Sequence, residues 1–289
     1  MKTLRTVSEV RAHVAAARRA GRSVGLVPTM GAFHAGHEAL MLAAREACEE
    51  VIVSLFVNPA QFEEAADLDA YPRSESRDAA IAAGSDVDAL FAPSVAEIYP
   101  DGFATTIRVA GLSDVLEGAA RGPSHFDGVC TLVGKLFNVV APDIAFFGQK
   151  DAQQVVVIRR MMRDLAMPVR LRVVPTVREH DGLARSSRNA RLDAADRARA
   201  IALCRGLDAA RDAIEAGEHD AASAEAAGRA AMAAVGVEPE YLTVVDPDTL
   251  EEMDRIAGRV LVVVAARVGP ARLIDNVIID TEEQVATPS

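Results

Sequence analysis

The chain has no tryptophan, and its three cysteines, Cys48, Cys130 and Cys204, are scattered without a CxxC spacing. An odd, dispersed set of thiols excludes a disulfide framework and a thiolate metal centre, and it points to the reducing cytoplasm. Cys130 and Cys204 fall in apolar helical patterns and read as buried structural thiols. No apolar run is long enough to cross a bilayer; Val260 to Ala266 is apolar but far too short. The first residues lack a charged n-region followed by an apolar core, so no secretory leader is expected. Positive charge is also short. The chain carries 31 Lys and Arg against 42 Asp and Glu, a net charge of −11, and no basic tract. That argues against nucleic acid or an anionic membrane as a partner. An anionic small-molecule substrate then needs a local cluster of cations working against the overall field.

Several catalytic signatures are missing too. There is no Gly-x-Ser-x-Gly elbow for a serine nucleophile. A GxGxxG dinucleotide fingerprint is absent, which counts against a dehydrogenase. No histidines and carboxylates share a metal-ligand spacing, so no protein-only metal site is expected.

What is present is enough for a sizeable core. Half of the 289 residues are hydrophobic, which suits one large or two modest domains. Thr6-Val7-Ser8-Glu9 is a capping-box pattern that starts a helix running to about Ala20. Val24 to Val27 reads as a buried strand, Glu38 to Glu50 as a helix with Leu40, Met41 and Ala44 on one face, and Val51 to Val57 as a second buried strand. A helix over Ser74 to Ala83, strands at Ala89 to Ala92 and Thr105 to Val109, and a Gly/Pro-rich loop from Leu116 to His125 follow. Gly128 to Val140 is helical, Ile144 to Phe147 a strand, Ala152 to Met167 a helix and Val169 to Val177 a strand. This alternation predicts an α/β fold with a Rossmann-like, doubly wound parallel sheet. After Val177 the texture changes. Helices over Ala194 to Ala216 and Ala221 to Ala234, then strands at Tyr241 to Val245, Val260 to Arg267 and Leu273 to Ile279, describe a smaller C-terminal α+β domain. The expected domains are therefore 1–176 and 177–289, with a tail frayed from Thr281.

In doubly wound sheets ligands sit outside the carboxyl ends of the strands. Three polar exit loops fit that rule: 28–37, 58–62 and 148–154. The first, Pro28-Thr29-Met30-Gly31-Ala32-Phe33-His34-Ala35-Gly36-His37, is a strand, a tight turn and a helix start. Gly31 and Gly36 allow close backbone approach, and His34 and His37 stand side by side at a helix N-terminus, where N–H groups and the dipole favour an anion. Lys150 and Arg188 are candidate phosphate clamps, one a point charge and one a planar fork, with Ser186 and Ser187 as hydroxyl donors. Gln61 and Gln154 offer amides that orient a carboxylate or hydroxyl without neutralising it. Asp151 either caps the following helix or helps hold Mg²⁺ through phosphate-bound water. Gln153 reads as an ordinary surface glutamine, Arg121 and His125 as packing or capping residues, and His13, His180 and His219 stand without a constellation.

Taken together these stretches resemble the pantothenate synthetase (pantoate–β-alanine ligase) family of the HxGH nucleotidylyltransferases. The matches run in order along nearly the whole chain. They are Pro28-Thr29-Met30-Gly31 with His34-x-Gly36-His37, Val53-Ser54-Leu55-Phe56-Val57-Asn58-Pro59, Tyr71-Pro72-Arg73, Phe147-Gly148-x-Lys150-Asp151-x-Gln153-Gln154, Ser186-Ser187-Arg188-Asn189 and Ala271-Arg272-Leu273-Ile274-Asp275-Asn276. The resemblance implies an AMP-forming ligase: the pantoate carboxylate attacks the α-phosphorus of ATP, and β-alanine then attacks the pantoyl adenylate. It implies that His34 and His37 stabilise the α-phosphate transition state. Lys150 and Arg188, with Ser186 and Ser187, hold the triphosphate with Mg²⁺. Met30, Gly31, Gly36, Gly148, Asp151 and Val177 complete the ATP site, and Gln61 and Gln154 bind pantoate, with Gln61 also near β-alanine. A cytoplasmic homodimer is implied as well. The chain departs from the family pattern at Phe33, Gln149, Ala152 and Arg185. An alternative is a divergent relative that adenylates another hydroxy acid.

Overall fold

The computed structural model describes residues 1–63, 68–122 and 124–281. The polar stretch Asp67 to Arg73, whose sequence reads as a loop, and the tail from Thr281 fall partly outside them. The chain forms two compact units. One comprises Met1–Gln149 and Gln153–Pro175, the other Lys150–Ala152 and the chain from Thr176 onwards.

The first unit is built on a six-stranded, fully parallel sheet: β1 (Lys2–Leu4), β2 (Val24–Thr29), β3 (Glu50–Leu55), β4 (Ala89–Phe91), β5 (Ile144–Gly148) and β6 (Arg170–Val174), in the spatial order β1-β4-β3-β2-β5-β6. This is the doubly wound sheet that the alternation predicts. The central strands are nearly continuous apolar runs, as strands covered on both faces must be. From β2 the chain proceeds to β3 on one side, while β5 lies on the other. The switch point therefore falls at β2 and β5, and the β2 exit turn carries both histidines. Pro28 cannot donate within this central strand. The next residue supplies side-chain bonds instead: the Thr29 hydroxyl donates to Ser54 O at 2.6 Å, and Thr29 N–H donates to Ser54 Oγ at 3.3 Å.

Helix α1 (Val7–Arg19) starts in the capping box read from Thr6 and Glu9 and buries Val10, Val14 and Ala17. Helix α2 (Ala35–Ala47) begins three residues earlier than its apolar pattern suggests, because His34 itself is the N-cap; Leu40, Met41 and Ala44 are its buried face. Helix α3 (Glu75–Gly84) follows, then a short α4 (Val95–Ile98). The alternation at Thr105 to Val109 does not form a strand. Its Ile107 N–H is taken by the Thr131 hydroxyl at 2.9 Å, a side chain of a helix rather than a sheet neighbour. The expected loop from Leu116 to His125 contains α5 (Glu117–Arg121) and the start of α6 (Ser124–Val140). Helix α7 (Ala152–Asp164) leads to β6. Strand β1 has only three residues, too few for a periodic signal.

The second unit holds an antiparallel sheet, β7 (Tyr241–Val245), β8 (Arg259–Val268) and β9 (Ala271–Asp280), in sequential order. The helix expected over Ala194 to Ala216 is two helices, α8 (Ala194–Ala200) and α9 (Ala202–Glu215), parted at Ile201. With α10 (Ala221–Ala233), α9 places Leu203, Leu207, Ile214 and Met232 against Leu242, Val244, Val262 and Val264 in one apolar core.

Candidate active site

The β2 exit turn is strongly constrained. Gly31 has φ +92° and Ala32 φ +54°, so two successive residues are left-handed. A Cβ on Gly31 would meet Leu55 Cδ1 at 2.7 Å and Asp78 Oδ2 at 2.9 Å, which only glycine avoids. His34 then caps α2: its Nδ1 accepts the Gly36 N–H at 3.1 Å. His37 reaches back, its Nδ1 accepting the His34 N–H at 3.3 Å. A Cβ on Gly36 would stand 2.9 Å from the His34 ring, so this glycine is what lets the ring fold over the helix start. Because both Nδ1 atoms accept, both imidazoles carry their hydrogen on Nε2. The ring centroids lie 4.2 Å apart with the planes inclined at 49°. The result is two N–H donors beside the positive end of α2, an arrangement suited to charge developing on a phosphate. Met30 is half-buried at the start of the turn. Phe33 is 1% exposed and packs in the core with Val27, Leu40 and Met41, so this departure from the family pattern is an interior repacking.

Gln61 ends a short 3₁₀ turn, Pro59–Gln61, capped by the fully buried Asn58. Asn58 Nδ2 donates to Gly128 O at 2.9 Å, and its Oδ1 accepts from Tyr99 OH at 2.7 Å and from Ala60 N–H at 3.3 Å. Burial drives the Tyr99 phenol up to about 12, so it remains a donor. His125 Nδ1 donates to Gln61 O at 3.0 Å, which gives His125 a packing role; Arg121 likewise pairs with Glu117. The Gln61 Oε1 atom is buried without a hydrogen-bond partner among the described residues, as an acceptor waiting for a ligand donor would be. Gln154 is half-buried on the first turn of α7. Its neighbour Gln153 is not a surface residue: it is 6% exposed, accepts the Glu117 N–H at 2.9 Å and donates to Leu112 O and Val115 O. His13, unassigned from sequence, pairs with the buried Glu50. Gly148 ends β5.

In the second unit, Lys150, Ser186 and Arg188 line one pocket together with Asn189 and Arg272. Asn276 Nδ2 donates to Lys150 O at 2.9 Å and holds that residue to β9. Ser186 caps the 3₁₀ turn Ser187–Arg191, accepting the Arg188 N–H at 3.2 Å. Val177 O accepts the Arg185 N–H at 2.9 Å, while the Arg185 side chain is exposed. Ion pairs brace this segment. Arg178 binds the 3%-exposed Asp275 through both nitrogens, at 2.6 and 3.1 Å. Arg197 reaches Glu179 at 2.9 Å and Asp181 at 2.7 Å. The Arg197 guanidinium holds the Asp181 carboxyl down to about 2 and keeps Glu179 below the usual carboxylate range. Asp151 lies beside Lys150, Oδ1 to Nζ 3.5 Å. Among the described residues no three His, Cys, Asp or Glu side chains gather as metal ligands.

Asp78 and Arg178 carry no signal in the sequence, and Asn58, Tyr99, Asp275 and Asn276 show no role there. All but Arg178 and Tyr99 are polar groups fully or almost fully buried; hydrophobic periodicity carries no signal for them.

A family model described as pantoate-beta-alanine ligase matches residues 2–278. The chain is 50% identical over 287 residues to the pantothenate synthetase of Moorella thermoacetica, covering 98% of this chain and all of that one. It matches the crystal structure of pantothenate synthetase from Thermus thermophilus with TM-score 0.90 and 46% identity, over 96% of this chain and 99% of that one. The pantoate-beta-alanine ligase of Francisella tularensis, complexed with beta-gamma ATP and beta-alanine, matches with TM-score 0.79 and 31% identity over the whole of both chains.

Proposed function

The chain belongs to the pantoate–β-alanine ligase family, and from that premise we propose how its own residues join the two substrates. The overall reaction is the ATP-dependent condensation of pantoate with β-alanine to pantothenate. In the proposed route a pantoate carboxylate oxygen attacks the α-phosphorus of ATP, and the bond to the bridging oxygen breaks, releasing pyrophosphate. The β-alanine amine then attacks the acyl carbon of pantoyl adenylate, loses a proton, and AMP departs. No covalent protein nucleophile is required; positioning and electrostatics carry the chemistry.

The observation that carries this reading is the pair of backbone bonds that hold the two rings, His34 N–H to His37 Nδ1 and Gly36 N–H to His34 Nδ1, which leave both Nε2–H groups as donors at the start of α2. We assign that pair to the α-phosphate oxygens, where negative charge grows during attack. Met30, Gly31 and Gly36 shape the same turn. Lys150, Ser186, Ser187 and Arg188 are assigned to the outer phosphates, and backbone at Gly148 and Val177 to the adenosine. Gln61 and Gln154 are assigned to pantoate, with the buried Gln61 Oε1 accepting from a substrate hydroxyl. Mg²⁺ belongs to this scheme as an ion carried by the ATP phosphates, since a single carboxylate plus phosphate oxygens is a common Mg²⁺ environment and the Asp151 carboxylate lies beside Lys150. It would neutralise phosphate charge. The three buried cysteines, all thiols, support a cytoplasmic location; a homodimer rests on the family resemblance, and sedimentation tests it.

Pantoate-dependent exchange of pyrophosphate into ATP, followed by AMP release on adding β-alanine, is the expected result. Exchange that is indifferent to pantoate, or that prefers another hydroxy acid, would overturn the assignment in favour of a divergent adenylating relative.

A further inference from the structure

The left-handed pair Gly31 and Ala32 turns two successive N–H groups, those of Ala32 and Phe33, toward the same side of the backbone. Such a concavity ordinarily collects an anion. Here the anion is built in. Asp78, on α3 and 45 residues further along the chain from Phe33, is 1% exposed. Its Oδ2 accepts the Ala32 N–H at 2.9 Å and its Oδ1 accepts the Phe33 N–H at 2.8 Å. Both carboxylate oxygens are thus engaged by the backbone immediately ahead of His34. The Phe33 ring, 1% exposed, lies 5.2 Å from the His37 ring, so the fixed peptide also fixes the wall against which His37 stands.

We propose that Asp78 is a positioning residue for adenylyl transfer: its carboxylate locks the Ala32–Phe33 peptides and thereby sets the rotamers and the Nε2–H tautomers of His34 and His37. This rests on the assignment of the histidine pair to the α-phosphate. A carboxylate accepts with both oxygens, whereas the isosteric amide has one acceptor and turns an N–H₂ toward a backbone N–H. In Asp78→Asn one of the two peptides must lose its partner or rotate. A shift of about 1 Å at the catalytic groups costs on the order of 100-fold in rate.

The experiment compares wild type, Asp78→Asn and His37→Ala by pantoate-dependent ATP–pyrophosphate exchange, with ¹⁵N NMR of the imidazoles recorded well below the melting transition of each. Asp78→Asn is expected to lower kcat for exchange by about 10–100-fold, to leave the KM for ATP within about 3-fold, and to shift the His34 and His37 nitrogens away from the pattern of an accepting Nδ1 and a protonated Nε2. Unchanged histidine nitrogen signals in a folded Asp78→Asn protein would overturn the proposal, as would wild-type kcat. Should Asp78→Asn prove too unstable, the same spectra on Asp78→Glu, which keeps the charge and both acceptor oxygens but lengthens the arm by one methylene, take its place: altered histidine tautomers support the link and unaltered ones sink it. Full exchange activity in His37→Ala would instead refute the role of the histidine pair, while the nitrogen spectra still decide whether Asp78 positions it.

Discussion

The histidine turn of the first unit and the Lys150 pocket of the second both present cationic or N–H donor groups, yet they are held by opposite means. The turn is held by peptide groups: a helix cap, a backbone N–H given to an imidazole three residues on, two left-handed residues and one buried carboxylate on backbone N–H. The pocket is held by side-chain charges brought from far along the sequence, Arg178 to Asp275 and Arg197 to Glu179 and Asp181, with Asn276 tying down Lys150. Peptide hydrogen bonds in a buried turn are screened little by salt; ion pairs that keep part of their surface in water, as Arg197 does with Glu179 and Asp181, are screened more. On the proposed assignment the division makes sense: groups that stabilise a transition state must be placed to fractions of an ångström and would sit on the rigid device, while groups that grip the outer phosphates tolerate a looser mount and would sit on the charge-built one.

The largest expected effect tests this division directly. His37→Ala should lower kcat/KM by about 10²–10⁴-fold with the loss mostly in kcat, because it removes a donor that acts as charge develops. Its melting temperature should stay close to wild type. Lys150→Ala should cost about 10²–10³-fold in kcat/KM, with a marked rise in the KM for ATP that steepens as salt is raised. Steady-state kinetics at two ionic strengths separate the two. If both variants lose kcat alone, with equal salt response, the contrast drawn above collapses.

The same contrast explains what could be read from sequence. The histidine turn is local: strand, glycines and histidines lie within a dozen residues, so their spacing predicts a shared face and an anion-suited helix start. The parallel sheet is similarly legible because its apolar strands alternate with amphipathic helices. The mounts are not legible. Asp78 sits in a stretch read as an ordinary helix, and nothing in Glu75-Ser76-Arg77-Asp78 says that one polar residue of the four turns inward. Gln153 looks like surface for the same reason. Asp275 and Asn276 appear in the family motif, but only the fold shows that one pairs with Arg178 and the other with Lys150. Thr105 to Val109 alternates correctly for a strand and still fails to be one, because a Thr131 hydroxyl takes the N–H of Ile107. Pattern reports which residues prefer the interior; it does not report which polar partner arrives from elsewhere.

A smaller effect sharpens the mounting of Lys150. Asn276→Ala leaves Lys150 O without its amide donor in a buried setting. A stability loss of about 1–2 kcal/mol is expected, read as a shift of the denaturation midpoint. The KM for ATP should rise while kcat moves less, since the displaced group grips rather than catalyses. A loss confined to kcat would mean that Lys150 belongs with the histidines and not with the looser device.

The smallest effect concerns acid. Arg197, through its hydrogen bonds, lowers Asp181 from 3.8 to about 2 and lowers Glu179 from 4.5. A depressed carboxyl contributes stability that is fully present above its unfolded value and is lost as pH falls through its folded value. The contribution of this cluster should therefore be intact above about pH 4.5 and gone near pH 2. Arg197→Met removes the cause, so the wild-type advantage in Tm should be largest at neutral pH and vanish toward pH 2. These side chains keep about a quarter of their surface in water, so the advantage is modest and should shrink further in high salt. Thermal melts of both proteins across that range, at low and high salt, give the comparison its finest test: a Tm difference that persists undiminished at pH 2 would mean that Arg197 holds this segment by packing its alkyl chain, and the second unit would then be less a charge-built device than its ion pairs suggest.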